Sequence, residues 1–127
     1  MKTIPYILSA LMYVIIGMQT ACSSKTDEPA NFTEVGQPAS IYPDYKDIII
    51  PPNIAPLNFL VRTPGEKFVA VLTSSEGKKL SASASHGSTL QFNAEQWKSL
   101  LSVSQGKEIQ VQVYTYTEKK WLRFQPF

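Results

Sequence analysis

From Leu57 to the end of the chain, apolar and polar residues alternate with a period of two, the spacing of β-strands with one buried face. Leu57, Phe59 and Val61 share one face, against Asn58, Leu60 and Arg62. Thr63-Pro64-Gly65-Glu66 then makes a turn. In the next run Phe68, Ala70 and Leu72 alternate with Val69, Val71 and Thr73, so the strand is apolar on both sides and predicts a central position. Lys79–Ser85 is a Ser/Ala strand too polar for deep burial, and Thr89–Phe92 points Leu90 and Phe92 inward. One helix interrupts the strands. Asn93 caps it, Gln96 completes a capping box, and Trp97, Leu100 and Leu101 fall on one face of about two turns. Lys107–Thr117 is the strongest strand, with Ile109, Val111 and Val113 inward and Gln110 and Gln112 outward. Glu118-Lys119-Lys120 turns the chain into a closing strand, Trp121–Phe127, which buries Leu122 and Phe124.

Ahead of this alternation lies Ile41–Phe59, with four of the nine prolines and the β-branched triplet Ile48-Ile49-Ile50. Proline fixes φ and donates no amide hydrogen, so neither a helix nor a central strand runs through it. The pattern predicts a short strand at Asp47–Ile50, a corner at Pro51-Pro52-Asn53 and a second strand from Leu57. About seven short strands with turns every eight to twelve residues predict a mainly β fold, an immunoglobulin-like antiparallel β-sandwich with one short helix. The short helix is of the kind that crosses between strands in Greek-key sandwiches. No long helical pattern between strands supports a parallel sheet, and no long repeat suggests a solenoid or propeller.

The first forty residues have a different character. Lys2 supplies a positive start, and Ile4–Met18 is an uncharged apolar run, short for a membrane span and of signal-peptide length. Thr20-Ala21-Cys22 follows, and Cys22 is the single cysteine. With no second cysteine an internal disulfide is impossible. This arrangement resembles a bacterial lipoprotein signal peptide (1–21), whose cysteine is lipidated and becomes the mature N-terminus. Gln19 departs from the leucine usual at that position. Residues 22–40, rich in Ser, Thr, Pro, Asp and Glu, read as a flexible tether holding a 41–127 domain off the bilayer. Ser23 resembles the outer-membrane sorting pattern, which implies an outer-membrane, lipid-anchored protein on the periplasmic or cell-surface face. Lys25-Thr26-Asp27-Glu28 resembles a surface-export signal and reads equally well as a plain acidic linker.

Charge adds little. Loss of the leader removes Lys2 and leaves eleven basic against ten acidic residues, a net charge of +1. So small a balance suggests no nucleic acid partner. Candidate chemistry is sparse too. His86 is the only histidine and sits beside Gly87 in a turn, the acids are scattered, and no Gly-x-Ser-x-Gly elbow or phosphate-cradling loop occurs. These features predict no enzyme, no metal and no cofactor. Aromatic residues remain. Tyr42, Tyr45, Tyr114, Tyr116 and Trp121 are candidates for stacking a glycan or for docking against a protein. Tyr114 and Tyr116 lie opposite Val111 and Val113, so they are expected to face solvent or a neighbouring domain. Trp121 and the terminal Phe127 are expected to lack cover within the chain and to form a docking surface.

Tyr42-Pro43-Asp44-Tyr45, the segment Ile50–Phe59, and Trp121–Phe127 together resemble the opening domain of bacterial lipoproteins that continue into a TolB-like β-propeller. The likeness spans nearly the whole chain after the leader. It implies a non-catalytic binding or assembly module, a partner protein or following domain, and no catalytic residues to carry over.

Overall fold

The computed structural model describes residues 27–127; the leader, Cys22 and the start of the tether lie outside the described residues. Among the described residues eight strands and one helix are formed. They are β1 (Thr33–Glu34), β2 (Ile41–Tyr42), β3 (Phe59–Val61), β4 (Lys67–Ser74), β5 (Lys79–Ala84), β6 (Thr89–Leu90), α1 (Ala94–Val103), β7 (Ile109–Thr117) and β8 (Lys120–Arg123). The fold is mainly β and has two sheets. A five-stranded sheet runs β1-β8-β7-β4-β5, and a three-stranded sheet runs β2-β3-β6.

β4 is interior, as its two apolar faces predict: Phe68 pairs with Thr115 of β7 on one side and Ala84 of β5 on the other. β5 is an edge strand whose Leu80 and Ala82 are buried while Lys79 and Ser83 are exposed. The core between the sheets gathers Phe59, Val61, Phe68, Leu72, Leu90, Phe92, Trp97, Leu100, Val113 and Phe124. Asn93 caps α1 as expected, its Oδ1 accepting from the Gln96 amide at 3.0 Å. Trp97 is 1 % exposed, and its indole N–H donates to the Ile54 carbonyl at 2.9 Å. That bond ties the helix to the proline-rich stretch and removes the cost of burying the indole nitrogen.

The structure differs from the sequence pattern in three places. First, the described part of the expected tether is laid on the large sheet. β1 pairs with β8 in parallel, Thr33 opposite Leu122, so the arrangement is not wholly antiparallel. The Val35 amide bonds the Arg123 carbonyl at 2.8 Å, and Ala39 is buried. Second, Asp47–Ile50 forms no strand: Asp47 adopts a left-handed φ of 54°, which breaks extended pairing, and Pro51-Pro52 removes the next two donors. Third, Phe127 is not left uncovered. Its amide and carbonyl pair with Val111 at 3.1 and 2.7 Å, and its ring packs against the main core.

The β7–β8 hairpin closes through Glu118 and Lys119, both left-handed at φ 49° and 62°. Two such residues are what a two-residue turn between twisted strands requires, although neither is glycine or asparagine.

Candidate interaction surfaces

Side chains alternate along β7, so the residues opposite Val113 face away from the main core. There Tyr114 packs with Val69 and Val71 of β4 into a second apolar cluster, and Trp121 of β8 leans against it. Tyr114 was expected to face solvent or a neighbouring domain; instead it is fully buried within this chain. Its cover is the N-terminal strap, residues 27–35. Phe32 meets the Tyr114 ring edge-on with centroids 5.8 Å apart, and the Arg123 guanidinium lies 5.0 Å from the Phe32 centroid.

Polar contacts fix the strap at both ends. The Tyr114 hydroxyl donates to Glu28 Oε1 at 2.8 Å, and Lys79 Nζ donates to Glu28 Oε2 at 2.8 Å. The Asp27 amide reaches Ser81 Oγ, and the Ser83 hydroxyl donates to the Asp27 carboxylate. At the other end Arg123 donates through Nε to Gln112 Oε1 and pairs with Glu34 at 3.5 Å. Gln112 in turn donates to the Phe124 carbonyl. This layer perturbs two titrations. Burial, then the hydrogen bond to Glu28 and its negative charge, push Tyr114 up to about 12. The hydrogen bond from Lys79 leads in holding Glu28 below its ordinary range, with the Tyr114 hydroxyl and nearby cations helping against partial desolvation.

Tyr116 and Trp121 sit in register across β7 and β8 at the end of this face, both half-buried. Their rings stand 5.3 Å apart at 60°, and the Lys67 ammonium lies 5.1 Å from the Tyr116 centroid. They pack on one another and offer no coplanar platform for a sugar ring.

A second surface forms where the proline-rich stretch bends over the end of the large sheet. A cleft of about 830 Å³ opens there, lined by Tyr45, Ile50, Leu57, Leu101, Val111 and Phe127 among others. On its rim Ile49 is 100 % exposed and Ile48 is 46 % exposed. Two adjacent exposed isoleucines beside an apolar floor suit another apolar surface. Phe127, a candidate on sequence grounds, lines this cleft. Ile48 and Ile49 were missed because a β-branched triplet reads first as a strand; the prolines on its C-terminal side were the available warning.

The remaining candidates stay apart. His86 is exposed and, among the described residues, shares a hydrogen bond only with the neighbouring Ser85 hydroxyl, at 3.2 Å. Among the described residues no group of three or more His, Cys, Asp or Glu side chains is gathered where a metal could be held. Among them, too, no helix is long and apolar enough to cross a membrane.

Fold and surfaces together define a mainly β, two-sheet module whose distinctive features are apolar and aromatic. Comparison with protein-family models, with curated proteins and with solved structures gives no match.

Proposed function

We propose that this chain is a bacterial lipoprotein, anchored to the outer membrane through lipid on Cys22, whose β domain is a non-catalytic binding or assembly module. The anchor is carried by one observation: the apolar run Ile4–Met18 ends in Thr20-Ala21-Cys22, and Cys22 has no cysteine to pair with. Several acyl chains on one residue give stable anchoring, since each buried methylene adds about 0.8 kcal/mol. The module reading rests on the cleft beside Ile48 and Ile49, whose apolar floor is rimmed by Asp47, Lys107 and Glu108. A following propeller-type domain or a separate envelope protein is the occupant this reading favours. Strand order supports an immunoglobulin-like sandwich. The run β8-β7-β4-β5 matches strands G-F-C-C′ of such a domain, and β2-β3-β6 matches A-B-E.

A glycan-binding accessory module is the second reading. It draws on the exposed Tyr42 ring, over which the Arg62 guanidinium lies at 4.5 Å. The 60° tilt between Tyr116 and Trp121 weighs against it.

Metabolic labelling with a palmitate analogue tests the anchor. The natural chain should label and partition into detergent, and Cys22→Ser should do neither; an unlabelled, water-soluble natural chain refutes it. For the module, Ile49→Ser with Ile48→Ser should leave folding intact and weaken self-association or partner capture. Unchanged association removes the support for the cleft.

A further inference from the structure

Composition reads residues 22–40 as a spacer, yet from Asp27 onward the chain is laid across the large sheet. We propose that the lipid on Cys22 therefore holds the domain against the bilayer, with its β5 side on the lipid headgroups. The inference rests on the lipidation reading above and adds an orientation to it.

Reach is the first argument. Five peptide steps separate Cys22 from Asp27, and at full extension they span at most about 18 Å. A domain of about 100 residues has a radius of gyration of about 13 Å, so it is roughly 33 Å across. The link is shorter than the body it holds. The side opposite the strap's exit therefore cannot reach the membrane.

The position of that exit is the second argument. Asp27 bonds Ser81 and Ser83 on β5, and Glu28 bonds Lys79 on β5 and Tyr114 on β7. The chain thus leaves the sheet over its β5 edge. β1 lies at the opposite edge, four strand spacings or about 19 Å away.

Chemistry of the edge is the third. β5 reads Lys-Leu-Ser-Ala-Ser-Ala and carries no acid, with Lys78, Lys79, Ser83, Ser85 and His86 exposed on or beside it. Asp27 and Glu28 of the strap lie alongside, and Glu28 neutralises Lys79. With Lys79 held by Glu28, the Ser83 hydroxyl by Asp27 and Lys78 by Ser99, the edge is a polar surface of nearly balanced charge, which suits the hydrated headgroup layer. None of the large exposed apolar residues lies on β5, so the contact belongs to the headgroup layer and not to the hydrocarbon.

The test uses the full acylated chain in phosphatidylethanolamine–phosphatidylglycerol vesicles that carry a headgroup-bound quencher. Cys22 is the sole native cysteine, so a cysteine placed at Ser85 or at Thr33 takes a thiol-reactive dye alone once Cys22 is acylated. The dye at Ser85, beside β5, should lose most of its emission, and the dye at Thr33, on β1, little. Inserting about sixteen Gly/Ser residues after Ser24, a coil reach of roughly 22 Å, should abolish the difference. Equal quenching at the two positions on protein whose Cys22 acyl mass is verified overturns the orientation alone. Absence of the acyl mass overturns the lipoprotein reading, and the orientation with it.

Discussion

The two faces of the large sheet are closed in different ways. Between the sheets, Trp97, Leu90, Leu100, Val113 and Phe124 meet in one dry cluster built from six strands and the helix. On the outer face, Val69, Val71 and Tyr114 are sealed by a strap whose strand is two residues long. The inner core is held by apolar area, which no single contact dominates. The outer cluster depends on a few polar anchors, chiefly Glu28 on Tyr114 and Lys79, and on one exposed phenylalanine. Exposed ion pairs contribute little each, so the strap opens more easily than the fold it covers.

The largest expected effect is on the inner side. Trp97→Ala removes a fully buried ring and its bond to Ile54, and should cost about 3–5 kcal/mol, enough to unfold a domain of ordinary stability. Equilibrium denaturation measures it, and a loss near 1 kcal/mol would place Trp97 outside the core. On the outer side, Phe32→Ala or Glu28→Ala should cost only about 1 kcal/mol each, as for most single polar or aromatic surface contacts. Their sign is local: Trp121 emission shifts to the red while the main unfolding transition barely moves. If either change unfolds the whole domain, the two clusters are one cooperative unit.

Titration separates the faces without mutation. Tyr114 is raised in the folded state, so its contribution is complete below the ordinary tyrosine value near 10 and is lost as pH climbs through about 12. Glu28 is lowered, so its contribution is complete above 4.5 and fades as pH falls through its depressed value. Tyrosinate absorbance should show one ring lagging behind the others at alkaline pH, and Glu28→Gln should shorten that lag.

Smaller gains are available inside the fold. The Thr115 hydroxyl is buried with no hydrogen-bond partner among the described residues, so Thr115→Val should be neutral or stabilise by about 1 kcal/mol. Replacing Glu118-Lys119 by Asn-Gly relieves two left-handed residues and should add a similar amount, about 1 kcal/mol, read as a rise in Tm. His86→Ala, at an exposed turn, should stay within about ±0.5 kcal/mol.

The inner face was legible because period-two alternation and helical spacing are local signals: Leu90, Phe92, Val113 and Phe124 point where the pattern puts them, and Asn93 caps where its side chain allows. The strap was not legible. Its hold comes from Glu28, Phe32 and Val35, spaced singly among Pro, Ala, Asn and Thr, and its partners lie up to 86 residues away. Composition measures how much apolar area a segment can bury alone, and misses a segment that borrows a surface already built. Tyr114 was misplaced for the same reason, since its cover comes from the far end of the chain. Of the candidate surface, Phe127 was picked from the sequence as an uncovered terminal aromatic; it lines the cleft, but it is paired with Val111 and packed on the core. The exposed Ile48-Ile49 pair was hidden by its own β-branched character.

Hydrogen exchange at the Val35 amide tests the unequal closure of the two faces most directly. That amide bonds Arg123 across the β1–β8 pair, whereas Val69–Leu72 of β4 are paired on both sides. Val35 should be protected, yet exchange through an opening that costs less than the global unfolding reported by the β4 amides. Exchange of Val35 at the rate of an unstructured peptide, or at the same free energy as β4, would contradict it.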